Sequence, residues 1–173
     1  MKTKKQEELV NSFLSEIDEG SRPLYQDIIL YLSELGYNPK KEKSGISFKH
    51  NLHNKQMAKM SIKTNKRQGS HPYFALRFSA CRGYSQRFLD VVCSYITKYP
   101  ARSSQCINNG GCNFCAGDAV THVYEYTFPN GESKLHCGAY AVEIPNITVN
   151  DIAEIKSLIR EEHNYLLKHE AGR

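Results

Sequence analysis

The sequence contains no run approaching the ~18 apolar residues of a membrane-spanning helix, so no membrane span is expected. Its start, Met1-Lys2-Thr3-Lys4-Lys5, runs into amphipathic residues rather than an apolar signal core. It has no internal repeat, no low-complexity linker, no Walker loop, no dinucleotide fingerprint, no nucleophile elbow and no H-E-x-x-H pair. These absences remove the commonest nucleotide-binding, hydrolase and metalloprotease readings. What remains is a 173-residue chain, a length that normally makes one domain with a core of its own. We expect it to be soluble and cytoplasmic. In a reducing compartment its six cysteines are not a disulfide set, and four of them crowd around one loop, which points to metal.

The loop reads Cys106-Ile107-Asn108-Asn109-Gly110-Gly111-Cys112-Asn113-Phe114-Cys115-Ala116-Gly117, and Cys137 returns later in the chain. A C-x2-C turn lets two thiolates reach one ion, and a following glycine accepts the positive φ that turns backbone N–H groups toward sulfur. Cys106, Cys112, Cys115 and Cys137 therefore make a four-thiolate set that suits structural zinc. Such a closed tetrahedral shell leaves no position for a catalytic water. Plant-type ferredoxins use a similar spacing for [2Fe–2S], with the first gap one residue shorter. His122 and His136 are the histidines near enough in sequence to replace a cysteine. A zinc deaminase is excluded, because here the C-x2-C precedes the histidine and the spacing is H-x-x-E.

Charge is unevenly placed. The net charge is +5, yet residues 40–67 hold nine Lys or Arg against one acid, Glu42, and so carry +8. Such asymmetry fits an anionic ligand or nucleic acid, and fits equally a solvated, lysine-guarded sheet edge. Lys49, Lys55, Lys59, Arg77, Arg82 and Arg87 are the candidate anion-binding residues.

The best enzymatic candidate is Cys81-Arg82-Gly83-Tyr84-Ser85-Gln86-Arg87, a C-x5-R run between an expected strand and an expected helix. It resembles the phosphate-binding loop of cysteine-dependent phosphatases. The resemblance implies a Cys81 thiolate nucleophile, with helix N–H groups and Arg87 forking onto phosphate oxygens. It lacks a histidine before the cysteine, and Gly83 is its only glycine.

Hydrophobic periods give the architecture. Leu9, Val10, Phe13, Leu14 and Ile17 recur at helical spacing. A second helix begins at Ser21 with Pro23 in its first turn, carries Leu24, Ile28, Leu32 and Leu35, and ends at Gly36. Residues 46–52 and 55–64 alternate as a hairpin turning at His53-Asn54, and 73–80 make a third strand. Ser85 starts a helix buried through Phe88, Leu89, Val92, Cys93 and Ile96, so Cys93 belongs to the core. Two further strands flank Pro129-Asn130-Gly131, and a long helix runs from about Val149 to His169.

The expectation is a single α+β domain over 1–173: a helical pair at 1–36, a mostly antiparallel sheet with helices packed on one face, and a zinc-binding loop and hairpin at 106–137. This element order, with strand text such as Gly45-Ile46-Ser47-Phe48 and Tyr73-Phe74-Ala75-Leu76-Arg77, resembles the small bacterial YdhG-like α+β domains. That resemblance implies a small binding domain and carries over no functional residue. The sequence as a whole reads as a noncatalytic, zinc-stabilised binding module.

Overall fold

The computed structural model describes residues 3–65, 69–99, 123–128, 130–137 and 140–170, and both expected N-terminal helices are present. Helix α1 covers Lys4–Ser15 and α2 covers Arg22–Glu34. The Thr3 hydroxyl accepts the Gln6 N–H at 3.3 Å, satisfying one of the donors a helix start leaves open. At the second start Ser21 makes no side-chain cap. Instead its N–H donates to Asp18 Oδ1 at 2.9 Å, so a carboxylate organises the turn between the helices. The buried stripe of α2 is Tyr25, Ile28, Ile29 and Leu32, so the expected Ile28 and Leu32 are in it while the expected Leu24 and Leu35 are only half-buried.

Five strands form one sheet in the order β1 (Tyr37–Glu42), β2 (Gly45–His50), β3 (Gln56–Asn65), β4 (Gly69–Leu76) and β7 (Val142–Glu143). The expected hairpin is β2 (Gly45–His50) with β3 (Gln56–Asn65), paired antiparallel with a bulge at Phe48/Lys49. An unexpected strand precedes it: β1, Tyr37–Glu42, pairs with β2 from Tyr37↔His50 to Glu42↔Gly45. Its Pro39 is tolerated because β1 is the sheet edge, where a missing N–H breaks no ladder bond. Gly45 starts β2 at φ +135°, and a Cβ there would collide with the Met60 carbonyl, so only glycine allows this approach of β2 to β3.

The third expected strand is displaced. Strand β4 runs Gly69–Leu76, four residues earlier than the sequence predicts, and Arg77–Ala80 leaves the sheet. The residues of one sheet face, among them Tyr37, Ile46, Phe48, Met60, Phe74 and Leu76, are almost wholly buried. Helix α1 contacts β1 and β2, and α2 contacts β1, so helices cover that face. Each large apolar side chain so buried stabilises by about 1.5–3 kcal/mol. The fold is thus α+β with a mostly antiparallel sheet.

After β4 come α3 (Gln86–Lys98), a separate two-stranded hairpin of β5 (Val123–Thr127) and β6 (Ser133–Cys137), the short β7 (Val142–Glu143), and α4 (Ile152–Glu170). A single 3-10 turn, Val149–Asp151, leads into α4, and the Thr148 N–H and hydroxyl both donate to Asp151 Oδ2, at 2.8 and 2.9 Å. Two compact units divide these elements: 1–76 with 143–159, and 77–142 with 160–173. The first holds the two N-terminal helices and most of the sheet. Buried Phe78, Phe88, Val92, Ile96 and Leu166 belong to the second. No helix among the described residues is long and apolar enough to cross a membrane.

Candidate functional site

Register places the lysines of the first unit. Lys40 lies opposite Ser47, Ser47 opposite Lys59, and Lys49 opposite Asn38, so Lys40, Lys49 and Lys59 share the sheet face opposite Phe48 and Met60, together with the buried Ser47 and Ala75. Lys63 lies on the same face, two residues beyond Ser61, and its ammonium is 3.9 Å from the centre of the Tyr73 ring. Two carboxylates interrupt this array. Glu42 accepts the Ser47 hydroxyl at 2.6 Å and sits 3.6 Å from Lys49 Nζ, while Glu143 pairs with Lys63 at 2.9 Å. The Ser47 hydrogen bond, aided by Lys49 and Lys59 and opposed by partial burial, holds the Glu42 carboxyl below its ordinary range. Lys55 lies outside this face, in the turn before β3, where its N–H donates to His53 Nδ1 at 3.1 Å.

The three arginines belong to the second unit and have different fates. Arg82 and Arg87 are exposed. Arg77 is buried, and its Nε donates to Glu162 Oε1 at 2.7 Å. It is an internal charge with an internal counter-ion, which removes it from the surface cations the sequence offered. Glu162, itself wholly buried on α4, also accepts the Ser79 hydroxyl at 3.1 Å and the Ala80 N–H at 2.8 Å. Its neighbour Glu161 accepts the Arg82 N–H at 3.3 Å.

The loop resembling a phosphatase cradle therefore does bind anions, and they are two carboxylates of α4. Cys81 sits among them at 1% exposure. Burial first, then the charges of Glu162 and Glu161, push its thiol far above the usual range. A phosphatase nucleophile needs the opposite environment, one in which helix N–H groups and cations stabilise a thiolate. The pair Glu161-Glu162 gave no signal in the sequence, because two glutamates on an amphipathic helix read as its solvent face.

Of the four cysteines proposed as zinc ligands, Cys106, Cys112 and Cys115 lie outside the described residues, as does His122. Cys137 ends β6, opposite Val123, half-buried and not in a disulfide. His136 beside it is wholly buried and lies edge-on to the Tyr95 ring, with centroids 5.2 Å apart, so it takes part in the packing of its unit. Cys93 is only half-buried, at the margin of the core the sequence assigned it to. Among the described residues no group of three or more His, Cys, Asp or Glu side chains converges as a metal site.

A further pair of imidazoles marks the β2–β3 turn. His50 and His53 stack with ring centroids 4.2 Å apart and 13° between planes, against the ring of Tyr37. Each Nδ1 accepts a backbone N–H of the turn, from Leu52 and Lys55, which makes them turn-closing residues. No protein-family model, curated protein or solved structure matches the chain.

Proposed function

We propose that this protein is a noncatalytic cytoplasmic binding module that presents the lysine-bearing face of its sheet to an anionic partner. The observation that carries the reading is the alignment of Lys40, Lys49, Lys59 and Lys63 on one face of three adjacent strands. Both carboxylates on that face already have a lysine partner, so a polyanion would meet excess positive charge. The role agrees with that implied by the resemblance to YdhG-like domains.

Zinc on Cys106, Cys112, Cys115 and Cys137 is the accompanying structural proposal. Four thiolates match the donor preference of zinc, and Cys137 is a thiol outside any disulfide at the end of a strand. The metal would hold the loop to the β5–β6 hairpin and supply no open site for chemistry.

The test is a salt titration of binding to short single- and double-stranded oligonucleotides. Several neutralised phosphates must give a steep loss of affinity between ~50 and ~200 mM salt. Charge reversal at Lys49 and Lys59 should reduce both affinity and slope. A flat response, or binding unchanged by those reversals, overturns the reading.

A further inference from the structure

Strand β4 is bordered by β3 along its whole length, but on its other side β7 contributes only Val142–Glu143. The last bond there runs from the Ile144 N–H to the Phe74 carbonyl at 2.9 Å. The chain then leaves the sheet at Pro145, which has no N–H, and Asn146, whose φ is +49°. A wedge opens between this departing segment and the start of β4.

The register shows which groups face the wedge. Pro72 lies opposite Ile62 and cannot donate, so this is a pair without mutual hydrogen bonds. Every second residue of β4, namely Ser70, Pro72 and Phe74, therefore turns its backbone groups away from β3. Ile144 takes the Phe74 carbonyl. Among the described residues the Ser70 N–H, the Ser70 carbonyl and the Pro72 carbonyl have no partner.

The wedge encloses a cleft of about 410 Å³ whose walls include Ser21, Tyr25, Tyr73, Phe74 and Ile147. Tyr25 is only 4% exposed, and its hydroxyl makes no hydrogen bond among the described residues. Burial, with the nearby Asp18 charge, pushes its pKa up to about 12, so it remains a proton donor at neutral pH. A second hollow of about 330 Å³ adjoins at His71 and Pro72 and is walled by Glu16 and Asp18. Neither carboxylate has a cation partner among the described residues, since the neighbouring Arg22 guanidinium donates to the carbonyls of Leu14 and Ile17.

We propose that the free edge of β4 at Ser70–Pro72 receives an extended basic peptide, which adds a strand to the sheet and sends alternate side chains into these two hollows. A row of unpaired backbone donors and acceptors at strand spacing matches a peptide main chain, and flanking hollows supply side-chain selection. The sign of the side chain follows from Glu16 and Asp18, because Glu143, which also lines the first cleft, is neutralised by Lys63. This surface is chemically opposite to the lysine face and would take a different partner.

The probe is a capped hexapeptide of alternating valine and lysine, added to the full chain and followed by amide chemical shifts. We expect saturable shifts at Ser70. Replacing lysine by glutamate in the peptide, or methylating the amide nitrogens that would face β4, should each weaken binding at least tenfold. Ser70→Pro deletes the one outward donor at an edge position where proline leaves the β3 ladder intact, and should abolish the peptide-induced shifts at the neighbouring His71 amide, whereas Asp18→Asn should weaken the lysine peptide several-fold. Equal binding of the three peptides, no saturable shift at millimolar peptide, or shifts at Ser70 that instead track concentration-dependent dimerisation would each overturn the proposal. The methylated peptide keeps the test decisive should Ser70→Pro fail to fold.

Discussion

Arg77 and Glu162 stand 85 residues apart in the chain and meet at 2.7 Å, with side chains 9% and 0% exposed. Among the described residues the carboxylate accepts from Arg77, Ser79 and Ala80, so its burial is compensated by hydrogen bonds as well as by charge. Through them α4 fixes the course of the chain just after it leaves β4.

Removing one member of this pair should be far worse than removing both. Glu162→Gln preserves shape but leaves Arg77 charged and buried, at an expected cost of about 3–5 kcal/mol. The double replacement Arg77→Met with Glu162→Leu should recover much of that loss, because apolar pairs often substitute for buried ion pairs without penalty. Denaturant unfolding of the two single variants and the double variant completes the cycle. A Glu162→Gln protein as stable as the parent would show that the contact contributes nothing.

Cys81 makes a prediction about alkaline pH. Its thiol is pushed up in the folded chain by burial and by Glu162 and Glu161, whereas in the unfolded chain it ionises near the ordinary ~8.5. Above that value the unfolded state releases a proton that the folded state keeps, so stability falls as pH rises. The slope is about 1.4 kcal/mol per pH unit for one proton. Tyr25 adds to it only above ~10, the ordinary value for a phenol, so the interval from pH 8.5 to 10 isolates the thiol among these two groups. Cys81→Ser should flatten the decline there. The same variant tested with a generic aryl phosphate should show no change in turnover, and loss of a measurable activity would reinstate the thiol as a nucleophile.

Helices and the first hairpin were legible because burial imposes their period: Val10, Phe13 and Leu14 in α1, or Ile46 and Phe48 in β2, follow from the spacing alone. Strand β1 was not, since Tyr-Asn-Pro-Lys-Lys-Glu buries only its first three residues and holds a proline that an interior strand would reject. The misplaced end of β4 has a different cause. Arg77-Phe78 continues the alternation of the strand, and what draws it out of the sheet is a carboxylate on a distant helix. Local pattern carries no trace of such a partner. The lysine face was legible as charge and illegible as geometry: Lys40, Lys49 and Lys59 share it with one another, while Lys55 and Arg77 do not.

The proposed zinc site is testable without any binding partner. Purified protein should carry one zinc per chain, and Cys137→Ser should reduce that stoichiometry and the melting temperature together, because metal bound only by the folded state stabilises it. Chelation should lower Tm by about 5 °C or more, the shift that ~2 kcal/mol produces in a chain of this size. Metal-free protein that melts identically with and without chelator would remove the site, and iron in place of zinc would reassign it to a cluster.

Glu42 is the charge that most directly opposes an anionic partner. It is the only acid between Lys40 and Arg67, it lies 3.6 Å from Lys49, and its carboxyl is held down by the Ser47 hydroxyl and then by Lys49 and Lys59. Glu42→Gln keeps a hydrogen-bond acceptor for Ser47 while freeing the lysines. Oligonucleotide affinity at low salt should rise several-fold, and the salt slope should steepen by about one if one more phosphate is neutralised. The same substitution has a cost in acid. A depressed carboxyl contributes stability above the ordinary ~4.3, and that contribution is lost as pH falls through the folded value. The parent should therefore lose stability below about pH 4.5 more steeply than Glu42→Gln. If affinity is unchanged while the acid limb responds as described, Glu42 is positioned as the structure shows, but the lysines around it do not face the bound anion.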